Sequence, residues 1–279
     1  MVQGFRPTLL AVAVALVLSL FAHGAYADFT EASYVATHLF LSSFPRSFPS
    51  LQSTWRGPEF CSWPGIECDN ASAATSVSVN LSGRNLRGSM PTILNEFTGH
   101  NIRVVSIDLS NNRGIIGAFI WDWAVLVHLA YLNLSSTSLT GAIPDSWNNM
   151  RSLVTLSISN TNACRGLPQW NITTLREVDI SQNNLRGILA SSWGSMTQLA
   201  SVDIRGNRFC GCVPSTWNNS TVLMNAVEAV GGNLVAPSCQ TSNRCTSFNY
   251  MCDGAAMTSV SAALVAGLLV QLLVVIAAV

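Results

Sequence analysis

Leu134-Ser135-Ser136-Thr137-Ser138-Leu139-Thr140-Gly141-Ala142-Ile143-Pro144 is the clearest copy of a phrase that this 279-residue chain repeats six times. The copies pivot on Leu81, Leu109, Leu134, Ile158, Ile180 and Ile204, spaced 28, 25, 24, 22 and 24 residues apart. A unit of that length holds one short strand and a loop and cannot bury its apolar face alone. Stacked units share a continuous core and align their strands as a parallel sheet on one side. The period predicts an α/β solenoid, a right-handed superhelix with a parallel concave β-sheet. Such a sheet is a broad recognition surface.

Each unit has the parts that stacking needs. Val79/Leu81, Ile107/Leu109, Leu132/Leu134, Leu156/Ile158, Val178/Ile180 and Val202/Ile204 alternate with polar residues, as in a strand with one buried face. Val104, Leu129, Leu153, Leu175 and Leu199 add a third apolar anchor. Three residues beyond the pivot stand Asn112, Asn183 and Asn207, with Thr137 and Thr161 in two units and Arg84 in the first. An amide or hydroxyl there is placed to satisfy backbone groups of the turning chain. Gly88, Gly141, Gly187 and Gly211 follow where the chain turns. Then come Met90-Pro91, Ile143-Pro144, Leu167-Pro168 and Val213-Pro214. Trp147, Trp193 and Trp217 recur after this point, and Trp170 falls one residue early. Equal spacing predicts a ladder of buried tryptophans along the convex side; the sharper reading is an exposed aromatic stripe. The second unit, Gly114-Ile115-Ile116-Gly117 with Trp121 and Trp123 but no proline, predicts an irregular or longer loop. This period and phrase resemble the leucine-rich repeat.

The two ends read differently. Residues 1–27 have the form of a signal peptide, with Arg6, the apolar run Leu9 to Phe21 and the small-x-small site Ala25-Tyr26-Ala27. A second apolar run, Ala262 to Val279, has no Lys or Arg after Arg244. Small residues at Asp253-Gly254-Ala255-Ala256 precede it, the pattern of a signal replaced by a glycosylphosphatidylinositol (GPI) anchor attached at Asp253. A transmembrane helix is the alternative. The expected organisation is a signal peptide at 1–27, an N-terminal cap at 28–75 and six repeats at 76–222. A cysteine-rich C-terminal cap at 223–253 and an anchor signal at 254–279 follow. The expected location is the outer leaflet of the plasma membrane, with the folded domain extracellular.

Charge balances at 14 basic and 14 acidic residues, which gives no reason to expect a nucleic-acid partner. All the basic residues are arginine, a bias we attribute to codon composition. The eight cysteines, at 61, 68, 164, 210, 212, 239, 245 and 252, read as disulfides in an oxidising compartment. No histidine stands near Cys210-x-Cys212, so a metal site is not expected.

Residues 28 to about 44 have apolar positions at helical spacing, namely Phe29, Ala32, Val35, Ala36, Leu39 and Phe40, with Asp28 and Glu31 as a capping pair. After Trp55 comes Cys61-Ser-Trp63-Pro-Gly65-Ile66-Glu-Cys68, which resembles the N-terminal cap of plant-type leucine-rich repeat proteins. A Cys61–Cys68 bridge would close a small loop over the first strand. Cys210-Gly-Cys212-Val-Pro214-Ser-Thr-Trp217 merges the last repeat with a cysteine cap that includes Cys239, Cys245 and Cys252. With the Pro-x-x-Trp units and the apolar tail, this combination is similar to the promastigote surface antigens of trypanosomatid parasites such as Leishmania. The resemblance implies a glycolipid-anchored surface protein with roles in host-cell attachment and complement resistance. It departs from better-known members in having no Thr/Ser-rich stalk, which places the domain close to the membrane. A C-terminal disulfide cluster is expected from Cys210, Cys212, Cys239 and Cys245, with Cys252 or one other left for Cys164 or free.

Strand alternation points Asn80, Asp108, Asn133, Ser157, Asp179 and Asp203 outward on the concave side, flanked by residues such as Tyr131, Glu177 and Arg205. Tyr131, Glu177, Asp179, Asp203 and Arg205 are the candidate binding residues. The surface suits a host protein with a basic rim, or a carbohydrate; a solvated sheet face without ligand is the plainer reading. Sequons at Asn70, Asn80, Asn133, Asn171, Asn218 and Asn219 are candidate glycosylation sites. No nucleophile elbow, zinc-protease motif or phosphate loop occurs, so neither enzyme activity nor a cofactor is expected. A plant-type inhibitor or receptor-like binding protein is the alternative function.

Overall fold

The structure, a computed structural model, describes residues 27–70, 75–93, 96–230 and 252. The expected signal peptide, the expected anchor signal with Asp253, Cys239, Cys245 and most of the expected C-terminal cap lie outside these residues. So do the side chains of Asp28 and Glu31.

The repeats stack as the period requires. Seven strands form the concave sheet: Ile66–Cys68, Val77–Asn80, Val104–Asp108, Tyr131–Asn133, Thr155–Ser157, Glu177–Asp179 and Ser201–Asp203. The last six run parallel, one per unit. Ile66–Cys68 belongs to the cap and pairs antiparallel with the first repeat strand. A second sheet has six strands: Arg87–Gly88, Gly114–Ala118, Ser138–Gly141, Asn162–Arg165, Asn184–Gly187 and Arg208–Phe209. It follows the turn of each coil and went unread in the sequence, because strands of two to five residues leave little periodic signal.

The pivots and their partners form one core; Leu81, Leu109, Leu134, Ile158, Ile180 and Ile204 are all buried. The polar groups of the turning backbone are met by the asparagine position. Asn112 donates to the carbonyls of Leu81 and Leu109, and its Oδ1 accepts from Leu86 N. Asn183 and Asn207 repeat this in the fifth and sixth units. Each asparagine reaches back to the preceding coil. The first unit has no repeat before it, which explains why exposed Arg84 can stand there. Thr137 keeps the bond to its own pivot's carbonyl, and Thr161 adds to that bond a contact with Asn183 Oδ1 of the next coil and one from Ala163 N.

Two residues beyond each pivot the backbone enters the left-handed region, at Gly83, Asn111, Ser136, Asn160, Gln182 and Gly206. Four of these are not glycine. Their amides bond the next coil, for example Asn160 N to Ser181 O at 2.9 Å, and that ladder holds the conformation against its steric cost.

The tryptophans form the buried ladder. Trp147, Trp170, Trp193 and Trp217 are inaccessible to solvent and stack at centroid distances of 6.5, 6.3 and 6.3 Å. Each indole N–H donates to a carbonyl of the preceding coil: Ile120, Pro144, Pro168 and Ala190. Trp170 keeps its place although it falls one residue early in a unit of 22 residues, because that unit drops the 3-10 helix that carries the other indoles.

The second unit corrects the expectation of an irregular loop. Ile120 has φ −96° and ψ 136°, close to Pro144 at −66° and 131°, so the chain enters the same 3-10 helix without proline. Trp123 is buried there and donates to Pro91 O at 2.7 Å, whereas Trp121 is 62% exposed.

At the N-terminus, α1 (Ala27–Leu41) covers the first repeat. Its buried face is Ser33, Ala36, Thr37, Phe40 and Leu41, while Val35 and Leu39 are each 50% exposed. The apolar spacing therefore misplaced part of the stripe. The reason is polar: Thr37 Oγ1 accepts from Arg103 N, and Ser33 Oγ accepts from Arg103 Nε. A cap must supply acceptors to the end coil as well as methyl groups. A short α2 (Phe44–Ser47) follows, and the Cys61–Cys68 disulfide closes the cap loop as expected. Trp55 and Trp63 are buried beside it, with their indoles donating to Pro64 O and Arg56 O.

The C-terminal end is covered by α3 (Thr221–Val230), which buries Leu223, Ala226 and Val227. Cys164 pairs with Cys252, 88 residues later, which resolves the odd cysteine. Cys210 and Cys212 are disulfide-bonded. Among the described residues no cysteine is free, and no helix is long and apolar enough to cross a membrane.

Candidate binding face

Register brings the candidate residues together. Tyr131, Thr155, Glu177 and Ser201 form one row across four adjacent strands, and Asn133, Ser157, Asp179 and Asp203 form the next. Strands about 4.8 Å apart set the spacing along each row. Glu177, Asp179, Asp203 and Arg205 thus share one end of the concave sheet, and Tyr131 stands on its middle strand, two strands from Glu177.

The column of Asn and Asp has a structural use that the sequence reading missed. Asn80, Asp108, Asn133, Asp179 and Asp203 each accept, through Oδ1, the amide two residues ahead, at 2.8–3.2 Å. These are Asx turns that close the strand end. The spacing of an acid or amide two residues before an otherwise unpaired amide was the available signal. One oxygen of each carboxylate is therefore committed to the fold; the second oxygen of Asp108 accepts from Asn133 Nδ2 and that of Asp203 from Arg205, which leaves Asp179 Oδ2 for a partner.

The charges are not equivalent. Arg205 clasps Asp203 through Nε and Nη2, the latter at 2.6 Å. That pairing holds the Asp203 carboxyl below the usual carboxylate range and raises the Arg205 guanidinium. The uncompensated negative charge of this end thus falls on Glu177 and Asp179. Glu177 accepts a bond from Thr155 Oγ1 at 3.3 Å, and Asp179 accepts one from Ser181 Oγ at 2.6 Å. Tyr131 OH accepts from Asn133 Nδ2 at 3.2 Å, which fixes its ring over the sheet. A cleft of about 320 Å³ adjoins this end, lined by Ser201, Asp203 and Arg205 on one side and Val222, Asn225 and Ala226 of α3 on the other.

The sequons differ in availability. Asn80, Asn171, Asn218 and Asn219 are exposed, as is Asn70. Asn133 is half-buried: its amide nitrogen contacts Tyr131 OH and Asp108 Oδ2, and its oxygen caps Ser135. Among the described residues no three His, Cys, Asp or Glu side chains cluster to hold a metal.

The Leucine Rich Repeat family model matches residues 128–150 and 174–196. The chain is similar to the surface membrane glycoprotein GP46/M-2 of Leishmania amazonensis, at 28% identity over 113 residues, 40% of this chain and 23% of that protein. It resembles the ectodomain of the Arabidopsis thaliana receptor kinase GASSHO1/SCHENGEN3, with a TM-score of 0.56 at 24% identity, over 65% of this chain and 22% of that one. It also resembles the Arabidopsis receptor kinase HAESA, solved with the peptide hormone IDA and the co-receptor SERK1. There the TM-score is 0.52 at 26% identity, over 70% of this chain and 32% of that one. The chain spans about a quarter or less of the curated relatives it matches. Repeat chemistry, sheet topology and these likenesses identify the fold as a leucine-rich repeat solenoid.

Proposed function

We propose that this protein is a cell-surface recognition module that binds a host protein or carbohydrate through its concave sheet. The observation that carries this reading is the double row of outward polar side chains on a sheet held by the asparagine and indole ladders. Such a surface is preorganised, so a partner meets it without an ordering cost. Binding centres on Glu177 and Asp179, with Tyr131 beside them and the Asp203–Arg205 pair at the rim. A partner with basic groups complements the uncompensated charge. We read the chain as non-enzymatic: an open sheet face does not enclose a substrate as a tuned acid–base site does.

The cap motif, the tryptophan spacing and the likeness to the Leishmania glycoprotein support a promastigote-surface-antigen reading, with host-cell attachment and complement resistance as its roles. Cleavage after Ala27 and a glycolipid anchor at Asp253 complete it, with caps at 28–75 and 223–253 around the repeats at 76–222. Glycans fit the exposed sequons at Asn80, Asn171, Asn218 or Asn219, and Asn70. Asn133 suits glycosylation poorly, because its side chain is spent on the sheet. A glycan at Asn80 would stand at the opposite end of the face from Glu177.

The test has two arms. Phospholipase C specific for glycolipid anchors should release the protein from cells; retention, with residues past Val260 in the mature chain, refutes the anchor. The released protein should capture a partner from host serum or macrophage membranes. Capture that a Glu177→Ser/Asp179→Ser variant performs equally well refutes the concave site.

A further inference from the structure

The balanced formal charge hides a separation by face. The seven concave strands carry Glu67, Asp108, Glu177, Asp179 and Asp203 and no arginine. The six strands of the second sheet carry Arg87, Arg165, Arg186 and Arg208 and no acid. Arg113 adjoins one of them, and Arg87, Arg113 and Arg165 are exposed. Arg186 and Arg208 lie in register and already have partners. Arg165 holds φ +73° at the turn where the neighbouring units place Gly141 and Gly187 at +96° and +93°. The fourth unit thus carries an exposed cation where its neighbours use the one residue that turns there without steric cost.

A covalent observation points to the same flank. Cys252 is bonded to Cys164, the neighbour of Arg165. The apolar run from Ala262 begins ten residues later, a reach of at most about 33–36 Å. Whether a glycolipid or the run itself enters the bilayer, the last described residue, Cys252, is held at the side of the fourth unit and not at the end of the stack.

We propose that the second-sheet flank rests on the phosphate-bearing headgroup surface of the anchoring membrane through Arg87, Arg113 and Arg165. The stack lies along the bilayer, and the acidic concave sheet, on a different face, stays open to partners. Guanidinium forks suit phosphate oxygens, and a short tether keeps the flank within range of them. This inference rests on the membrane attachment proposed above.

The test uses the full protein, in phosphatidylcholine vesicles doped with phosphatidylserine and again in detergent micelles. Phenylglyoxal labelling, read by mass spectrometry, maps every basic side chain, since all are arginine. Arg87, Arg113 and Arg165 should react several-fold more slowly on vesicles, with the protection relieved by high salt. Arg151 and Arg176, exposed in the stretches that lead into the concave strands, should react equally in both. Equal rates at all five positions, in protein that floats with the vesicles, overturn the orientation but leave the anchor standing. Equal protection at all five overturns it as well, since contact would then not be confined to this flank. Protein that fails to float overturns both anchor and orientation.

Discussion

Replacing Asn183 by Leu tests whether the buried amide ladder, and not apolar stacking alone, holds the repeats in register. Asn183 is buried and has five polar partners, three of which share its two amide hydrogens. It donates to the carbonyls of Ile158 at 2.8 Å and of Ile180 and Ser181 at 3.1 Å, and accepts from Thr161 Oγ1 at 2.6 Å and Ala163 N at 3.1 Å. Leucine fills similar space but makes none of these bonds. Four of the groups left behind keep a second partner: Ile158 O has Thr161 Oγ1, Ile180 O has Asn207 Nδ2, Ser181 O has Asn160 N, and Ala163 N has Thr161 Oγ1. The cost is therefore below five full orphan penalties. At about 0.5–1.5 kcal/mol net per bond, with partial compensation, it comes to about 2–4 kcal/mol. For a domain of this size that corresponds to a melting temperature lower by roughly 4–16 °C. Calorimetry with disulfides intact would measure it, with exposed Asn162→Ser as a control expected within about 0.5 kcal/mol. The double variant with Thr161→Val should cost less than the sum of the singles by about 1 kcal/mol, because both lose one shared network. A loss below about 1 kcal/mol, or strict additivity, would refute the ladder as the source of register.

Other consequences are equally direct. Trp170→Ala should destabilise by about 3–5 kcal/mol, whereas Trp121→Ser should stay within about 0.5 kcal/mol; denaturant unfolding distinguishes them, and similar losses would contradict the burial assigned to the two indoles. In the chain-entropy view, opening Cys164–Cys252 by paired serines should cost about 4–5 kcal/mol and opening Cys61–Cys68 about 2–3 kcal/mol, given separations of 88 and 7 residues. Non-reducing peptide maps should recover both pairs, and a free Cys164 would disprove the longer one. The Asp203–Arg205 pair is favourable above the unfolded carboxylate pKa of about 3.9 and is lost as pH falls through the depressed folded value. Because the pair is exposed, its effect on stability is small. The sharper readout is carboxyl-carbon NMR, in which Arg205→Ala should raise the Asp203 midpoint towards the ordinary range; an unmoved midpoint would show that Arg205 is not the cause.

Much of this molecule is legible in its sequence because a solenoid repeats each physical requirement. Pivot spacing, strand alternation, the asparagine position and the indole spacing each recur often enough to separate rule from accident. Where a requirement occurs once, pattern misleads. At the cap, Ser33 and Thr37 are inside and Val35 and Leu39 outside, because the end coil needs acceptors for Arg103 that no periodicity announces. The second unit lacks the proline of its neighbours and so reads as irregular, whereas the device is an extended backbone that Ile120 also adopts. On the concave face the acidic column was visible, but its double duty was not. Asp108, Asp179 and Asp203 serve Asx turns with one oxygen, and Arg205 quenches the last of them. The pairing of Cys164 with Cys252 joins residues 88 apart in the sequence, which spacing does not encode.

The central claim is that the Glu177 end of the concave sheet is the recognition surface, and one comparison tests it most directly. Attachment of the released protein to host cells is measured beside that of the Glu177→Ser/Asp179→Ser/Asp203→Ser variant. Serine hydroxyls retain an acceptor for the turn amides, so circular dichroism and melting should report an intact fold. The account predicts a folded variant with clearly weakened attachment. A folded variant that attaches as well as the parent would contradict it and move recognition off this face.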